Sequence, residues 1–261
     1  MTTNSLATRI RGHLSRAACQ PVIGRAIAAV QHNRVRNRGC LIDTSSPHIT
    51  PTTIARLWWG LYEAKEIRFI KQLLPRDMDV VELGASIGVA TAHIARRIQP
   101  ERQIICVEAN PYLLELIREN VALNTPGRRV TILNQAIDYS GQGSVRLQVS
   151  ETNTNSRLGS GEDGLAVETT TLSRVIEHYS LGSFALVADI EGAELGMILN
   201  DKAGLSQVQQ LIIELHPAQH LGELWTPERM RDLLIASHGF NLRAERGPVY
   251  VFERPTAASS D

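Results

Sequence analysis

From residue 80 onward, short apolar runs alternate with stretches whose apolar residues recur at helical spacing. Runs at 80–83, 104–107, 130–133, 186–190 and 211–215 read as strands that are apolar on both faces. Helical patterns over about 89–98, 111–123, 193–199 and 227–236 separate them. A strand apolar on both sides needs cover on both sides, and the intervening helices supply it as crossovers between parallel neighbours. Two last runs, 241–245 and 249–253, flank Arg246-Gly247-Pro248, which reads as an antiparallel hairpin. The expected fold is therefore α/β: a doubly wound, mostly parallel, Rossmann-like sheet of seven strands ending in an antiparallel hairpin.

Other segments stand outside the alternation. Residues 145–149 and 167–171 look like short extra strands. Between them, 150–164 is dense in Ser, Thr, Asn and Gly, the composition of a lid or of a disordered loop. Residues 52–74 read as one helix ended by Pro75. Trp58 and Trp59 on such a helix suit either the core or a stacking face for ligand. The expected division is a helical appendage over 1–51, a catalytic domain over 52–254 and a disordered tail over 255–261.

Net charge is zero, with 27 basic and 27 acidic residues. That balance speaks against a nucleic-acid partner. It hides an asymmetry, because Arg9, Arg11, Arg16, Arg25, Arg34, Arg36 and Arg38 all precede the first carboxylate, Asp43. Such a segment is either a solvated face or an anion-attracting surface for a partner, a membrane or an acidic substrate. Its helices also offer a homodimer contact. Three distant cysteines with no CxxC spacing suit neither zinc nor a disulfide framework, and point to a reducing compartment, the cytoplasm. No stretch is long and apolar enough to span a membrane.

The run Val80-Val81-Glu82-Leu83-Gly84-Ala85-Ser86-Ile87-Gly88 joins a strand to a helix through a glycine turn. Gly84, Ala85, Ser86 and Gly88 would let a ligand approach the backbone and the first helical amides. Glu108 closes the next strand 20 residues after Gly88, where a carboxylate accepts both hydroxyls of an adenosine ribose. A dinucleotide pyrophosphate asks for GxGxxG, and the third glycine is missing here. A sulfonium cofactor carries no phosphate and does not need it, so the expected cofactor is S-adenosylmethionine. Glu82 would hold its ammonium directly or through water. Ala109, Gln135 and Ala136 would read or cover the adenine. The competing readings are a nucleotide-linked oxidoreductase and a binding protein that has lost catalysis.

Asp189-Ile190-Glu191-Gly192-Ala193-Glu194 follows the fourth main strand, and Glu214-Leu215-His216 ends the fifth. Ligands of doubly wound sheets sit beyond these carboxyl ends. In one reading Asp189 and Glu214 hold Mg²⁺, with water or His216, and the metal activates a substrate hydroxyl. In the other, His216 or Glu191 is a metal-free base for that hydroxyl. Glu194 reads chiefly as a charge at a helix N-terminus.

With these residues in view, the chain resembles the FkbM family of O-methyltransferases over about 61–253. The resemblance lies in Tyr62-Glu63, ELGASIG at 82–88, Glu108, Thr171-Leu172, DIEGAE at 189–194 and IELHP at 213–217. DIEGAE is its specific part. The resemblance implies a class I methyltransferase fold, adds Tyr62 and Asp189 to the cofactor site, and implies a small-molecule hydroxyl acceptor, foremost a carbohydrate. Members act on hydroxyls of glycolipids, polysaccharides and natural products. Here Glu82 stands where Asp is common, Ser86 where Asn is usual, and Ser173 where an Asp follows Thr-Leu.

Overall fold

The computed structural model describes residues 16–148, 157–159 and 164–255. Early in the described residues come helix α1 (Pro21–Val30) and an antiparallel hairpin, β1 (Arg34–Asn37) and β2 (Cys40–Asp43). The hairpin buries alternate residues, Val35, Cys40 and Ile42, against Ile87, Val89 and Leu113. The described part of the appendage thus shares a core with the first crossover helix. Sequence reading expected helices alone in this segment. Each strand has only four residues and half of each faces outward, too little alternation to stand out.

Helix α2 (Pro51–Trp58) is capped by Thr50, whose hydroxyl accepts from the Thr53 amide at 3.1 Å. The single helix expected over 52–74 is broken. It stops at Trp58, and α3 (Ala64–Leu73) begins after Glu63, which sits in the left-handed region at φ 46°. The break turns Tyr62 and Glu63 out of the helical path. Trp58 and Trp59 are exposed rather than in the core.

The seven-stranded sheet follows. Strand β3 (Asp79–Leu83), helix α4 (Val89–Arg97), strand β4 (Ile104–Val107), helix α5 (Leu114–Asn124) and strand β5 (Thr131–Leu133) build one half. A second, four-stranded sheet contains β6 (Ala136–Ile137), β7 (Ser144–Gln148), β8 (Arg157–Gly159) and β9 (Leu165–Thr170) in the order β6-β9-β7-β8. Of the expected polar loop, 150–156 and 160–163 lie outside the described residues, as does the tail beyond 255.

Helix α6 (Leu172–Tyr179) leads into β10 (Phe184–Ala188), α7 (Glu194–Asn200), α8 (Lys202–Gln207) and β11 (Val208–Glu214). A hairpin, β12 (Ala218–His220) and β13 (Glu223–Trp225), precedes α9 (Pro227–His238), β14 (Asn241–Arg246) and β15 (Val249–Glu253).

The main sheet runs β14-β15-β11-β10-β3-β4-β5. Pairs from β11 to β5 are parallel, and β15 is antiparallel to both β11 and β14. This is the expected doubly wound sheet with its terminal hairpin. Alternate residues face two cores: Val81, Leu186 and Leu211 on one side, Val80, Val187 and Ile212 on the other. Strand order reverses between β3 and β10, so their carboxyl ends open a crevice.

Two glycines set the crevice. A Cβ on Gly84 (φ 84°) would lie 1.9 Å from the Asp189 carbonyl oxygen, so only glycine lets β10 end beside the turn. At Gly88 (φ 77°) a Cβ would lie 2.8 Å from Ile117 Cα, where α4 meets α5. Gly88→Ala is expected to lower the unfolding free energy by about 2 kcal/mol, read from urea denaturation. An unchanged midpoint would mean that α5 shifts freely.

Candidate functional site

A cleft of about 840 Å³ lies over the carboxyl ends of β3, β4, β10 and β11. Gly84, Ser86, Glu108, Ala109, Gln135 and Ala136 line one part of it. Tyr62 and Glu63 line it from the break between α2 and α3, and Asp189, Glu191, Glu214 and His216 from the facing rim. Of the residues expected to bind cofactor, hold a metal or act in catalysis, Glu82, Ala85 and Gly88 do not reach the lining, nor do Trp58 and Trp59, which a stacking role would need there. Glu82 is buried below it, accepting from Cys106 Sγ at 3.0 Å, and Gly88 serves helix packing.

Glu108 is fixed before any ligand arrives. One carboxylate oxygen accepts from the Ser86 amide at 2.8 Å, the other from the Asn110 amide at 2.7 Å. Each oxygen keeps a free lone pair, so the group remains able to accept from a diol. Burial pushes its pKa up to about 7 against those two amides. The loop behind it is pinned by Asn134, whose amide donates to the Glu108 and Ala109 carbonyls at 3.0 and 2.9 Å. Tyr62 Oη and Ser86 Oγ are hydrogen-bonded at 3.1 Å, tying the helix break to the glycine turn.

The rim is organised by Glu194, which in sequence has the place of a helix-end charge. Glu194 has no exposed surface. Its carboxylate accepts from the Ile190 amide at 3.1 Å and the Gly192 amide at 2.9 Å, which closes the Asp189–Glu194 turn on itself. The same carboxylate meets His216 Nδ1 at 3.0 Å. That contact is the main reason the imidazole pKa rises, to about 9, so His216 is protonated at neutral pH. Its Nε2 is left facing Asp189 Oδ1 at 3.9 Å and Glu191 Oε2 at 3.7 Å. In DIEGAE the signal for Glu194 is present, but the strand-end histidine that completes it lies 22 residues further on.

Carboxyl groups are concentrated beneath the cleft. Burial, then the charge of Glu214, raises Asp189 above the ordinary carboxylate range. Burial is also the leading cause for Glu63, Glu66 and Glu82, the last reaching about 7. From sequence Glu63 enters only as part of the Tyr62-Glu63 resemblance, with no role of its own, and Glu66 is hidden in the helical pattern. Glu63 Oε2, Glu82 Oε1 and Asp189 Oδ1 are shielded from water and have no hydrogen-bond partner. Orphaned buried carboxylate oxygens at a cleft suit a cationic ligand group. An ammonium and a sulfonium are such groups, so the site fits S-adenosylmethionine.

Magnesium fits less well. The residues whose donor atoms converge are Asp189, Glu191 and His216, within 4.8 Å of one another, and Glu214 is not in that group. Mg²⁺ takes oxygen ligands, and one of these three donors is an imidazole. The imidazolium already supplies positive charge at that point.

The profile of the methyltransferase FkbM domain matches residues 82–242. No curated protein matches the chain. Among solved structures it is similar to an rRNA methylase from Streptococcus thermophilus, at 10% identity over 73% of this chain and 94% of the other, TM-score 0.42. It is also similar to a ribosomal protein L11 methylase from Lactobacillus delbrueckii subsp. bulgaricus, at 13% identity over 75% and 80%, TM-score 0.43. A protein of the NADB-Rossmann superfamily from Streptococcus agalactiae is similar at 12% identity over 75% and 70%, TM-score 0.42. The profile match carries both the glycine turn and the Asp189–Glu194 signature that shape the cleft, and the chain belongs to the methyltransferase FkbM domain family.

Proposed function

We propose that the protein is an S-adenosylmethionine-dependent O-methyltransferase whose acceptor is a hydroxyl of a small molecule, a sugar or glycoside. The observation that carries this reading is the pairing, in one cleft, of a pre-fixed Glu108 with orphaned carboxylates and a Glu194-held imidazolium. Bound there, S-adenosylmethionine would supply an electrophilic methyl group and a positive sulfonium. Glu108 accepts from the ribose hydroxyls, and Glu63 and Asp189 face the cationic groups. Glu82, below the lining, acts through the field of its charge rather than by contact.

Asp189 takes the acceptor's hydroxyl proton as its oxygen receives the methyl group. The histidine is an unsuitable base because it already holds a proton. His216 instead balances the charge of Asp189 and Glu191 and fixes where they stand. Most of the rate gain comes from alignment of the two reactants.

This reading is metal-free. Turnover measured with a labelled methyl donor and a panel of glycosides is expected to be the same with and without EDTA. Loss of activity in EDTA and recovery with Mg²⁺ would return Asp189 and Glu214 to the role of metal ligands. Methyl transfer to no hydroxyl compound, with transfer to RNA, would overturn the acceptor class.

A further inference from the structure

The arginine-rich entry segment is not used by the proposed chemistry. Arg16, Arg25, Arg34, Arg36 and Arg38 are all exposed, and none forms an ion pair among the described residues. No carboxylate occurs from residue 16 to 42. Helix α1 also presents Val22, Ala26, Ala29 and Val30 to solvent at helical spacing, on the side away from buried Gly24. The indole of Trp59 is 52% exposed and its Nε1 donates to the Ala18 carbonyl at 3.0 Å, so the aromatic edge of α2 adjoins the start of α1.

Exposed Leu61, Tyr112, Leu199 and Leu221 each directly adjoin a lining residue, Tyr62, Leu113, Asn200 and His220 respectively. They come from four separate parts of the chain. Leu221, at the tip of the β12–β13 hairpin, is 90% exposed in the left-handed region at φ 51°, and Leu224 beside it is 54% exposed. Exposed apolar side chains thus lie one residue away from the carboxylate-lined cleft at four separate places in the chain.

We infer that α1 and the rim of the cleft dock on the surface of an anionic lipid bilayer, which presents the acceptor to the site. Arginines without a carboxylate partner, beside exposed Val, Leu and Trp, are the pattern of an interfacial membrane contact: charge draws the face to the headgroups and apolar groups enter the acyl boundary. Nucleic acid would use the arginines but leave Val22, Val30 and Leu221 in water. A second copy meeting this face isologously would set arginine against arginine. The docking proposal rests on the functional reading only for its consequence for the acceptor, because partition is measured without turnover.

The test is flotation of the full chain with vesicles of phosphatidylcholine alone or with about one-third phosphatidylglycerol. The expected result is partition onto the anionic vesicles only, weakening as salt rises. Arg25→Gln with Arg34→Gln is expected to weaken it roughly 30-fold, and Leu221→Ser with Leu224→Ser roughly tenfold. Unchanged melting temperatures of both double variants, together with those losses, assign the effect to the surface. Failure to float, or flotation that neither double variant weakens, overturns the inference. So does a salt-resistant dimer that the leucine variant dissociates, or binding of single-stranded RNA in place of vesicles. If methyl transfer to soluble glycosides persists while flotation fails, the docking proposal falls and the methyltransferase reading stands.

Discussion

Asp189→Asn is expected to lower kcat about 10³-fold while changing S-adenosylmethionine affinity less than about tenfold. The substitution keeps the size of the side chain and removes its charge, and with the charge its capacity to accept a proton. Asp189 sits at the sheet's switch point, with a carboxylate oxygen that has no hydrogen-bond partner. Burial raises it above the ordinary carboxylate range, and the neighbouring charge of Glu214 adds to that. A carboxylate so placed is matched to taking up a proton near neutral pH. Steady-state kinetics and equilibrium binding of the variant separate the two quantities. Equal losses in kcat and affinity would make Asp189 a cofactor ligand only.

Glu194→Gln is expected to act through His216. The variant keeps an acceptor for the Ile190 or Gly192 amide but loses the charge that holds the imidazolium. The His216 pKa should fall from about 9 toward its ordinary value, visible in imidazole NMR. Turnover is expected to drop roughly 10- to 100-fold with a shifted pH profile, since Asp189 and Glu191 then face an uncharged ring.

Stability reports the same contact. A histidine whose folded pKa is raised contributes stability that is fully present below about 6.5 and is lost as pH rises through about 9. With the side chain 27% exposed, the contribution is on the order of 2 kcal/mol. Glu82 and Glu108, both raised by burial to about 7, work in the same direction, their contribution being lost as pH rises from about 4.5 through 7. The ligand-free protein should therefore lose stability steadily from about pH 5 to 9 in urea titrations. The portion above pH 6.5 should shrink in Glu194→Gln. A wild-type midpoint flat over that range would contradict the charge assignment at His216.

The sheet was legible because each of its central strands is apolar on both faces and is followed by a helix or a turn of fixed kind. Gly84 and Glu108 were legible for the same reason, since strand ends and spacing locate them. What sequence hid were contacts between distant segments. The need for glycine at 84 comes from the Asp189 carbonyl, about 100 residues away. Glu194 reads as a dipole charge until His216 is brought to it by the β10–β11 pairing. The place of Glu63 at the cleft was concealed by an apolar periodicity that runs through the break between α2 and α3, a break made by two turns of backbone rather than by any apolar pattern. Glu214 was the obvious partner for Asp189 by strand position, yet the converging donors belong to Glu191 and His216. The turn after β10 folds Glu191 back toward the rim through its left-handed conformation at φ 49°.

The most direct test of the central claim is calorimetric titration of the cleft with S-adenosylmethionine and, separately, with NAD. Saturable one-to-one binding of S-adenosylmethionine is expected, weakened about 10²-fold in Glu108→Ala, with no comparable binding of NAD. Tight NAD binding that depends on Glu108, or S-adenosylmethionine binding indifferent to that residue, would contradict the account.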